Sequence, residues 1–253
     1  MSVAEFRTVD RITTSTTSTV DPPRRAHPER SAQGALAAAV AAVPPIAALH
    51  LSATGPIEPS GWTISDYVVS VPHGTLLFAL TTGALALGAA ALARGLRPDP
   101  GTRGIRFLLV LWAFGLVVAA AFPTNVRGTP TNLSSDIHLY AGAVVFAALP
   151  VAGWLLAGRL RPTRGGRAGR PVFTSGVAAP RVAALRTTAL LAGLLAAALI
   201  ANRLPGVVGR PDLMLPPGIL QRIAGAAQIV LLATSGIALL RSGRRPIGFV
   251  APR

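Results

Sequence analysis

The chain has 253 residues, of which 51% are hydrophobic and 13% are charged, and its formal net charge is +15. Soluble domains average about 25% charged residues, so this composition excludes a large soluble domain and indicates an integral membrane protein. The absence of Cys excludes disulfides, thiol catalysis and Cys metal sites. All 24 basic residues are Arg. Because Arg beside apolar segments sets membrane orientation, we expect membrane lipids as partners and no nucleic acid.

The N-terminal segment over residues 1–33 is polar and rich in Thr, Ser, Pro and Arg, without apolar periodicity. Segments of this kind bury too little apolar surface to offset the entropy of ordering. We therefore predict a disordered tail. We do not expect a signal peptide, because the first apolar run begins only near Gly34.

Six stretches without Asp, Glu, Lys or Arg follow, over about 34–57, 67–93, 107–126, 137–158, 187–202 and 223–240. About 20 residues at 1.5 Å each cross a hydrocarbon core of about 30 Å. The sequence therefore predicts an all-α, polytopic membrane bundle of six transmembrane helices over residues 34–240, with a tail over 241–253. The predicted spans are Gly34–Ser52, Pro72–Ala93, Gly104–Phe122, Asp136–Ala157, Val182–Asn202 and Gly218–Leu240.

Proline and glycine residues punctuate these spans. Pro44, Pro45 and Pro150 lack an amide hydrogen, so we expect them to kink their helices. Residues 158–181 are rich in Arg, Gly and Pro and read as a flexible linker at anionic lipid head groups. The small residues that we expect to permit close helix packing are Gly83, Gly88, Gly115, Gly142 and Gly153.

The Arg residues are distributed asymmetrically about the predicted spans. Twenty lie in the two tails and in the loops after the second and fourth spans, and four lie on the other side. Cytoplasmic loops carry the excess of Arg in membrane proteins. We therefore predict a multi-pass protein of the inner (plasma) membrane with both termini in the cytoplasm.

Polar residues gather at the predicted outer ends of the spans. Three of these spans enter the membrane from outside, and helix N-termini favour anions. The side chains could together form an outward-facing pocket for an anionic lipid or small molecule, or each could be an interfacial anchor that pairs locally. The candidate ligand-binding residues are Ser65, Asp66, Tyr67, His73, Asn125, His138 and Arg222.

Two other chemistries use residues of the same layer. His50, His73 and His138 with Asp66 or Asp136 would suffice for zinc, but no short ligand spacing is present. A Ser–His–Asp hydrolase would use Ser65 or Ser70 with His73 or His138, but the Gly-x-Ser-x-Gly elbow is missing. We find no Walker loop, dinucleotide fingerprint or mid-span haem-ligating pattern. The sequence thus predicts no metal and no cofactor.

Four short motifs occur in an order that resembles a known family. Ile64-Ser65-Asp66-Tyr67 leads into a span, and Phe122-Pro123-Thr124-Asn125 ends one. Asp136-Ile137-His138 and Gly218-Ile-Leu-Gln221-Arg222 each open one. Over about residues 35–240 the chain resembles the bacterial domain-of-unknown-function 998 family of six-span membrane proteins. The resemblance implies the fold and topology and leaves the function open.

Three functional hypotheses follow. The first is a protein that binds or moves an anionic lipid or small molecule at the outer pocket. The second is an intramembrane hydrolase that uses His73 and His138, and the third is a structural partner in an envelope complex. We favour a non-enzymatic role.

Overall fold

A computed structural model of the protein describes residues 28–52, 60–126, 128–160, 179–202 and 215–240. Residues 1–27 of the predicted N-terminal tail, the predicted C-terminal tail over 241–253 and most of the predicted linker lie outside the described residues. The described residues form eight α-helices and no strand. They are α1 (Pro28–Ala41), α2 (Val43–Leu51), α3 (Ile64–Ser70), α4 (Gly74–Gly95), α5 (Pro100–Ala121), α6 (Leu133–Arg159), α7 (Ala179–Ala201) and α8 (Pro217–Leu240).

Six segments of the described chain are long and apolar enough to cross a membrane, which confirms the predicted all-α bundle of six spans. Helices α1 and α2 together form the first span, and α4 to α8 form the other five. Large apolar side chains, among them Leu87, Phe107, Phe114 and Leu194, remain exposed on the bundle exterior. An exterior with this much apolar surface indicates contact with lipid.

The spans pack in chain order into a closed ring. Each of α4, α5, α6, α7 and α8 contacts the span before it, and α8 also contacts α1. A further contact between α6 and α8 crosses the ring. The last helix therefore closes the bundle against the first.

Several helices begin before the start predicted from charge-free runs. α1 starts at Pro28, so residues 28–33 are helical rather than part of a tail, and Ala32 is fully buried. α5 starts at Pro100 because the Asp99 carboxylate accepts hydrogen bonds from the amides of Gly101 and Thr102. Such caps satisfy amides that lack partners within the helix. A search for uncharged residues misses capped turns that extend past the apolar run.

The first span is interrupted between α1 and α2 at Ala42, just before Pro44 and Pro45, although Ala42 keeps a helical backbone with φ of −73° and ψ of −21°. Helix α6 continues through Pro150 without interruption. Among the glycines, Gly88 and Gly153 lie at close helix crossings: a Cβ atom on Gly88 would lie 2.8 Å from the Ala38 Cβ. The expectation is wrong for Gly83 and Gly142, where an added Cβ would meet no atom within 4 Å.

A sharp reversal joins α3 to α4. His73 adopts a left-handed backbone conformation with φ of 59°, and the Gly74 amide donates to the carbonyl oxygen of Val71 at 3.0 Å. The reversal brings Gly74 against the last turn of α3, and α3 packs on α4 and α8. We call the end of the bundle that carries α3, the C-terminus of α5 and the N-termini of α6 and α8 the α3 end.

Candidate functional site

Helix α3 is fastened to the N-terminal turns of α8. The backbone amide of Ile64 donates to Gln221 Oε1 at 2.6 Å, and Arg222 Nη1 donates to the carbonyl oxygen of Trp62 at 2.9 Å. The Arg222 guanidinium also lies 4.9 Å from the centre of the Tyr67 ring, within the range of a cation–π contact. These contacts fix α3 over the interior of the bundle.

Ser65 of α3 meets His138 of α6 at this end. Ser65 Oγ lies 3.0 Å from His138 Nε2. On the other side of the ring, His138 Nδ1 lies 2.9 Å from the carbonyl oxygens of both Ala119 and Phe122, at the end of α5. The His138 ring therefore links three helices, and each of its nitrogens has a partner.

A cavity of about 350 Å³ lies inside the bundle and is lined mainly by carbon atoms. We call it the apolar cavity. Helices α2, α3, α4, α5, α6 and α8 contribute to its wall. Its polar side chains are His50, Ser65, Thr81, Thr82, Trp112, His138, Gln221, Arg222 and Gln228.

Two fully enclosed polar atoms in this wall have no hydrogen-bond partner. Trp112 Nε1, a donor, belongs to a side chain that is 0% exposed, and Gln228 Oε1, an acceptor, belongs to one that is 3% exposed. Buried polar groups are nearly always hydrogen-bonded in folded proteins. The two atoms are thus one donor and one acceptor left unpaired within a wall that is lined mainly by carbon atoms.

The amide nitrogen of Gln228 has a structural role. Pro150 lacks the amide hydrogen that would bond the carbonyl oxygen of Phe146 one turn earlier. Gln228 Nε2 of α8 donates to that oxygen at 3.1 Å. A neighbouring helix thereby satisfies the carbonyl that the proline leaves free, as a membrane interior requires.

A second cavity, of about 550 Å³, opens at the α3 end, and we call it the polar cavity. Its wall includes Asp66, Asn125, Ser135 and Asp136. Of the described residues, neither Lys nor Arg lines it. The two cavities share five wall residues, which mark their junction: Ser65, His138, Gly142, Phe146 and Gln221.

The structure brings five of the seven predicted site residues to these cavities. Ser65 and His138 line both cavities, Asp66 and Asn125 line the polar cavity, and Arg222 lines the apolar cavity. Asp66 also caps α3, since its Oδ2 accepts from the amide of Thr63 at 2.7 Å.

Tyr67 and His73 line neither cavity. Tyr67 is 1% exposed, and its ring packs edge-on against that of His50, with centroids 5.7 Å apart. His73 is exposed at the turn before α4. The hypothesis that His73 shares a pocket with His138 and Arg222 is not supported, because its exposed side chain lines neither of the cavities that they line.

At the N-termini of α6 and α8, some of the amides that the sequence offered to an anion are already bonded within the protein. The first turn of α6 is capped by Asn132, whose Oδ1 accepts from the Ser135 amide at 2.9 Å. In α8 the Gly218 amide donates to the carbonyl oxygen of Ser60. His138 and Arg222 both lie at the sixth position of their helices, beyond the turn with free amides.

Within the described ranges, no group of three or more His, Cys, Asp or Glu side chains is placed to hold a metal ion. The zinc alternative thus has no geometric support there. Sequence reasoning missed Trp112 and Gln228, because it searched for polar residues near the span ends. The signal for Gln228 was its position in mid-span, where polar residues are costly.

A family model described as "Protein of unknown function (DUF998)" matches residues 36–238. This range contains every described residue that lines the two cavities. No curated protein and no solved structure matches the chain significantly.

Proposed function

Because the chain belongs to the DUF998 family, whose function is unknown, we propose a function from its own geometry: it binds a small amphipathic molecule at the α3 end of a six-span membrane bundle. The apolar part of the ligand occupies the apolar cavity, and its polar part occupies the polar cavity. The observation that carries this proposal is the shared wall at Ser65, His138 and Gln221. Ligand pockets of about 300–1,000 Å³ with few polar groups are typical of small-molecule sites.

The charges around the polar cavity support a neutral or cationic polar group. Asp66 and Asp136 line it, whereas Arg222 lines the apolar cavity and no described Arg lines the polar cavity. A carboxylate wall disfavours an anion by like-charge repulsion. We therefore propose a ligand with a neutral or cationic polar group in place of the anionic molecule that the sequence suggested. Within the apolar part of the ligand, a carbonyl group would accept a hydrogen bond from Trp112 Nε1, and a hydroxyl group would donate one to Gln228 Oε1.

The distribution of Arg supports access from outside the cell. The junction of α4 and α5 lies at the end of the bundle opposite α3, with Arg94 in the last turn of α4, Arg97 in the loop and Arg103 in the first turn of α5. The positive-inside rule then places the α3 end at the outer surface and both termini in the cytoplasm.

This orientation predicts the accessibility of two matched single-cysteine variants. The chain has no Cys, so Pro130→Cys and Pro98→Cys each provide a single thiol on an exposed loop. We expect a membrane-impermeant maleimide to label Pro130→Cys in intact cells and to label Pro98→Cys only after permeabilisation. The opposite pattern would reverse the topology.

Filling the junction of the cavities should abolish binding. Gly142 lies in both walls, and an added Cβ there meets no atom within 4 Å. We expect Gly142→Leu to fold, because Leu favours helix over Gly by roughly 0.5–1 kcal/mol, and to block the cavities. Gly158→Leu is the matched control, since Gly158 lies on the same helix in equally open space and lines neither cavity.

The measurement is native mass spectrometry of the purified proteins, with and without monocaprin, a monoacylglycerol with a neutral head and one ten-carbon chain. Wild type and Gly158→Leu should retain the lipid, and Gly142→Leu should lose at least about ten-fold in retention. Equal retention in all three proteins would place the lipid outside the cavities. Absence of retention in wild type, for monocaprin and for co-purified lipids alike, would favour a structural role in an envelope complex.

A further inference from the structure

We propose that Ser65 and His138 form a nucleophile–base pair that cleaves an ester in the amphipathic ligand. This inference rests on the proposed function, because the two cavities supply the substrate. It also replaces the predicted use of His73, which lies outside both cavities. The argument depends on where the protons of His138 and Ser65 must lie.

The two bonds of His138 Nδ1 decide the protonation of the ring. The carbonyl oxygens of Ala119 and Phe122, both at 2.9 Å, can only accept hydrogen bonds. Nδ1 must therefore carry the hydrogen, and neutral His138 has its lone pair on Nε2. The Ser65 hydroxyl, at 3.0 Å, then donates to Nε2. A hydroxyl that donates to an imidazole lone pair at this distance has the geometry of an activated serine.

The end of α5 takes the place that a carboxylate has in a catalytic triad. The last carbonyl groups of a helix lack partners within it and carry partial negative charge. Here two of them hold the Nδ1 hydrogen, so they fix the ring orientation and stabilise the imidazolium that forms when Nε2 accepts a proton. The partner that sequence reasoning sought, an Asp or Glu, is not needed for either task.

The location of the pair suits an ester that links a polar group to an apolar chain. Ser65 and His138 both lie at the junction, so the ester bond of a ligand that spans the two cavities would lie beside Ser65 Oγ. Gln221 also lines the junction, and its Oε1 already accepts from the Ile64 amide. We assign its Nε2 amide the role of hydrogen-bond donor to the oxyanion.

The reaction balances without a metal or an oxidant. Ser65 Oγ attacks the ester carbonyl carbon while its proton passes to His138 Nε2. The tetrahedral intermediate then breaks the bond to the alcohol oxygen, which takes the proton from Nε2, and an acyl group remains on Ser65. Water, deprotonated by Nε2, attacks that acyl group, and Ser65 leaves with the proton. The products are a carboxylic acid and an alcohol.

The test is covalent labelling of the full-length protein in detergent with an alkyl fluorophosphonate, which reacts with activated serines. Intact-mass and peptide mass spectrometry should locate the label on Ser65. Ser65→Ala should remove it, whereas Ser70→Ala, a change on the same helix at an exposed residue, should not. Wild type and Ser70→Ala should also hydrolyse p-nitrophenyl decanoate, and Ser65→Ala should not.

Two substitutions separate the base from its structural role. His138→Asn keeps an amide donor near the position of Nδ1 for the carbonyl groups of α5, but it removes the base. His138→Gln places a polar but non-basic group near the position of Nε2. In each of these two variants that folds, the labelling rate of Ser65 should fall about 100-fold or more, because a general base usually contributes that much. Labelling that stays within two-fold of wild type in a folded variant would overturn the proposal.

The outcome is independent of the binding test. Retention of monocaprin without a label on Ser65 would overturn the nucleophile while leaving the binding proposal intact. A label on Ser65 that depends on His138, in a protein that retains no lipid, would support the chemistry and overturn the proposed ligand.

Discussion

Gly74→Ala should lower the stability of the folded protein more than other substitutions of a single methyl group in α4. A Cβ atom on Gly74 would lie 2.6 Å from the carbonyl oxygen of Val68 and 2.8 Å from that of Tyr67. Both are backbone atoms, so relief requires that α3 move as a unit. Overpacking of this kind costs about 2–3 kcal/mol. The measurement is the apparent unfolding midpoint in detergent.

Gly83→Ala is the control for this prediction. Gly83 lies in the same helix, and an added Cβ meets no atom within 4 Å. Because Ala favours helix over Gly by about 1 kcal/mol, this variant should be at least as stable as wild type. If both variants unfolded at the same midpoint, α3 would not be held against Gly74 in the way that the structure describes. Displacement of α3 should also weaken the Ser65–His138 contact.

Gln228→Leu should destabilise the bundle by about 2 kcal/mol, because it leaves the carbonyl oxygen of Phe146 without a donor. Pro150→Ala would restore an amide hydrogen at position 150, which could bond that oxygen within α6. In the Pro150→Ala background, Gln228→Leu should therefore cost about 1 kcal/mol less. Unfolding by SDS in mixed micelles, measured for the four proteins of the double-mutant cycle, gives this coupling.

Ser235→Ala provides the comparison for the cycle. The Ser235 hydroxyl bonds the carbonyl oxygen of Leu231 in its own helix, at 2.7 Å. Ser235→Ala should lower the free energy of unfolding by the same amount with Pro150 and with Ala at position 150, because the two sites share no hydrogen bond. If Gln228→Leu lowers the free energy of unfolding equally with Pro150 and with Ala at position 150, the contact of Gln228 with the carbonyl oxygen of Phe146 contributes nothing measurable to stability.

The number of spans and their order were predictable because each apolar run is long and free of charge. The family was predictable from the order of four short motifs beside the spans, and the match over residues 36–238 confirms it. Ser65 and His138 could be selected as polar residues beside spans. Their contact could not, because 73 residues separate them and the packing of α3 on α4 and α8 brings Ser65 to His138.

Other parts of the site depend on tertiary geometry that carries a weak sequence signal. His73 satisfied the same criterion as His138, yet a left-handed turn leaves it exposed. Pro150 was expected to kink its helix, but the sequence did not show that Gln228, on another helix, donates to the carbonyl oxygen that Pro150 leaves without a partner. The polarity of Gln228 was visible in α8, whereas its partner became evident only from the structure.

The closed ring of helices has a consequence for how the protein is made. Chains emerge from the ribosome N-terminus first, so α8 is synthesised and inserted after the other five described spans. It supplies Gln221, Arg222 and Gln228 to the cavity walls and docks between α1 and α7. A nascent chain that lacks α8 has every helix of the Ser65–His138 contact but leaves the interior open to lipid. The wall of the apolar cavity is thus complete only when α8 inserts, after Ser65 of α3 and His138 of α6 have been synthesised.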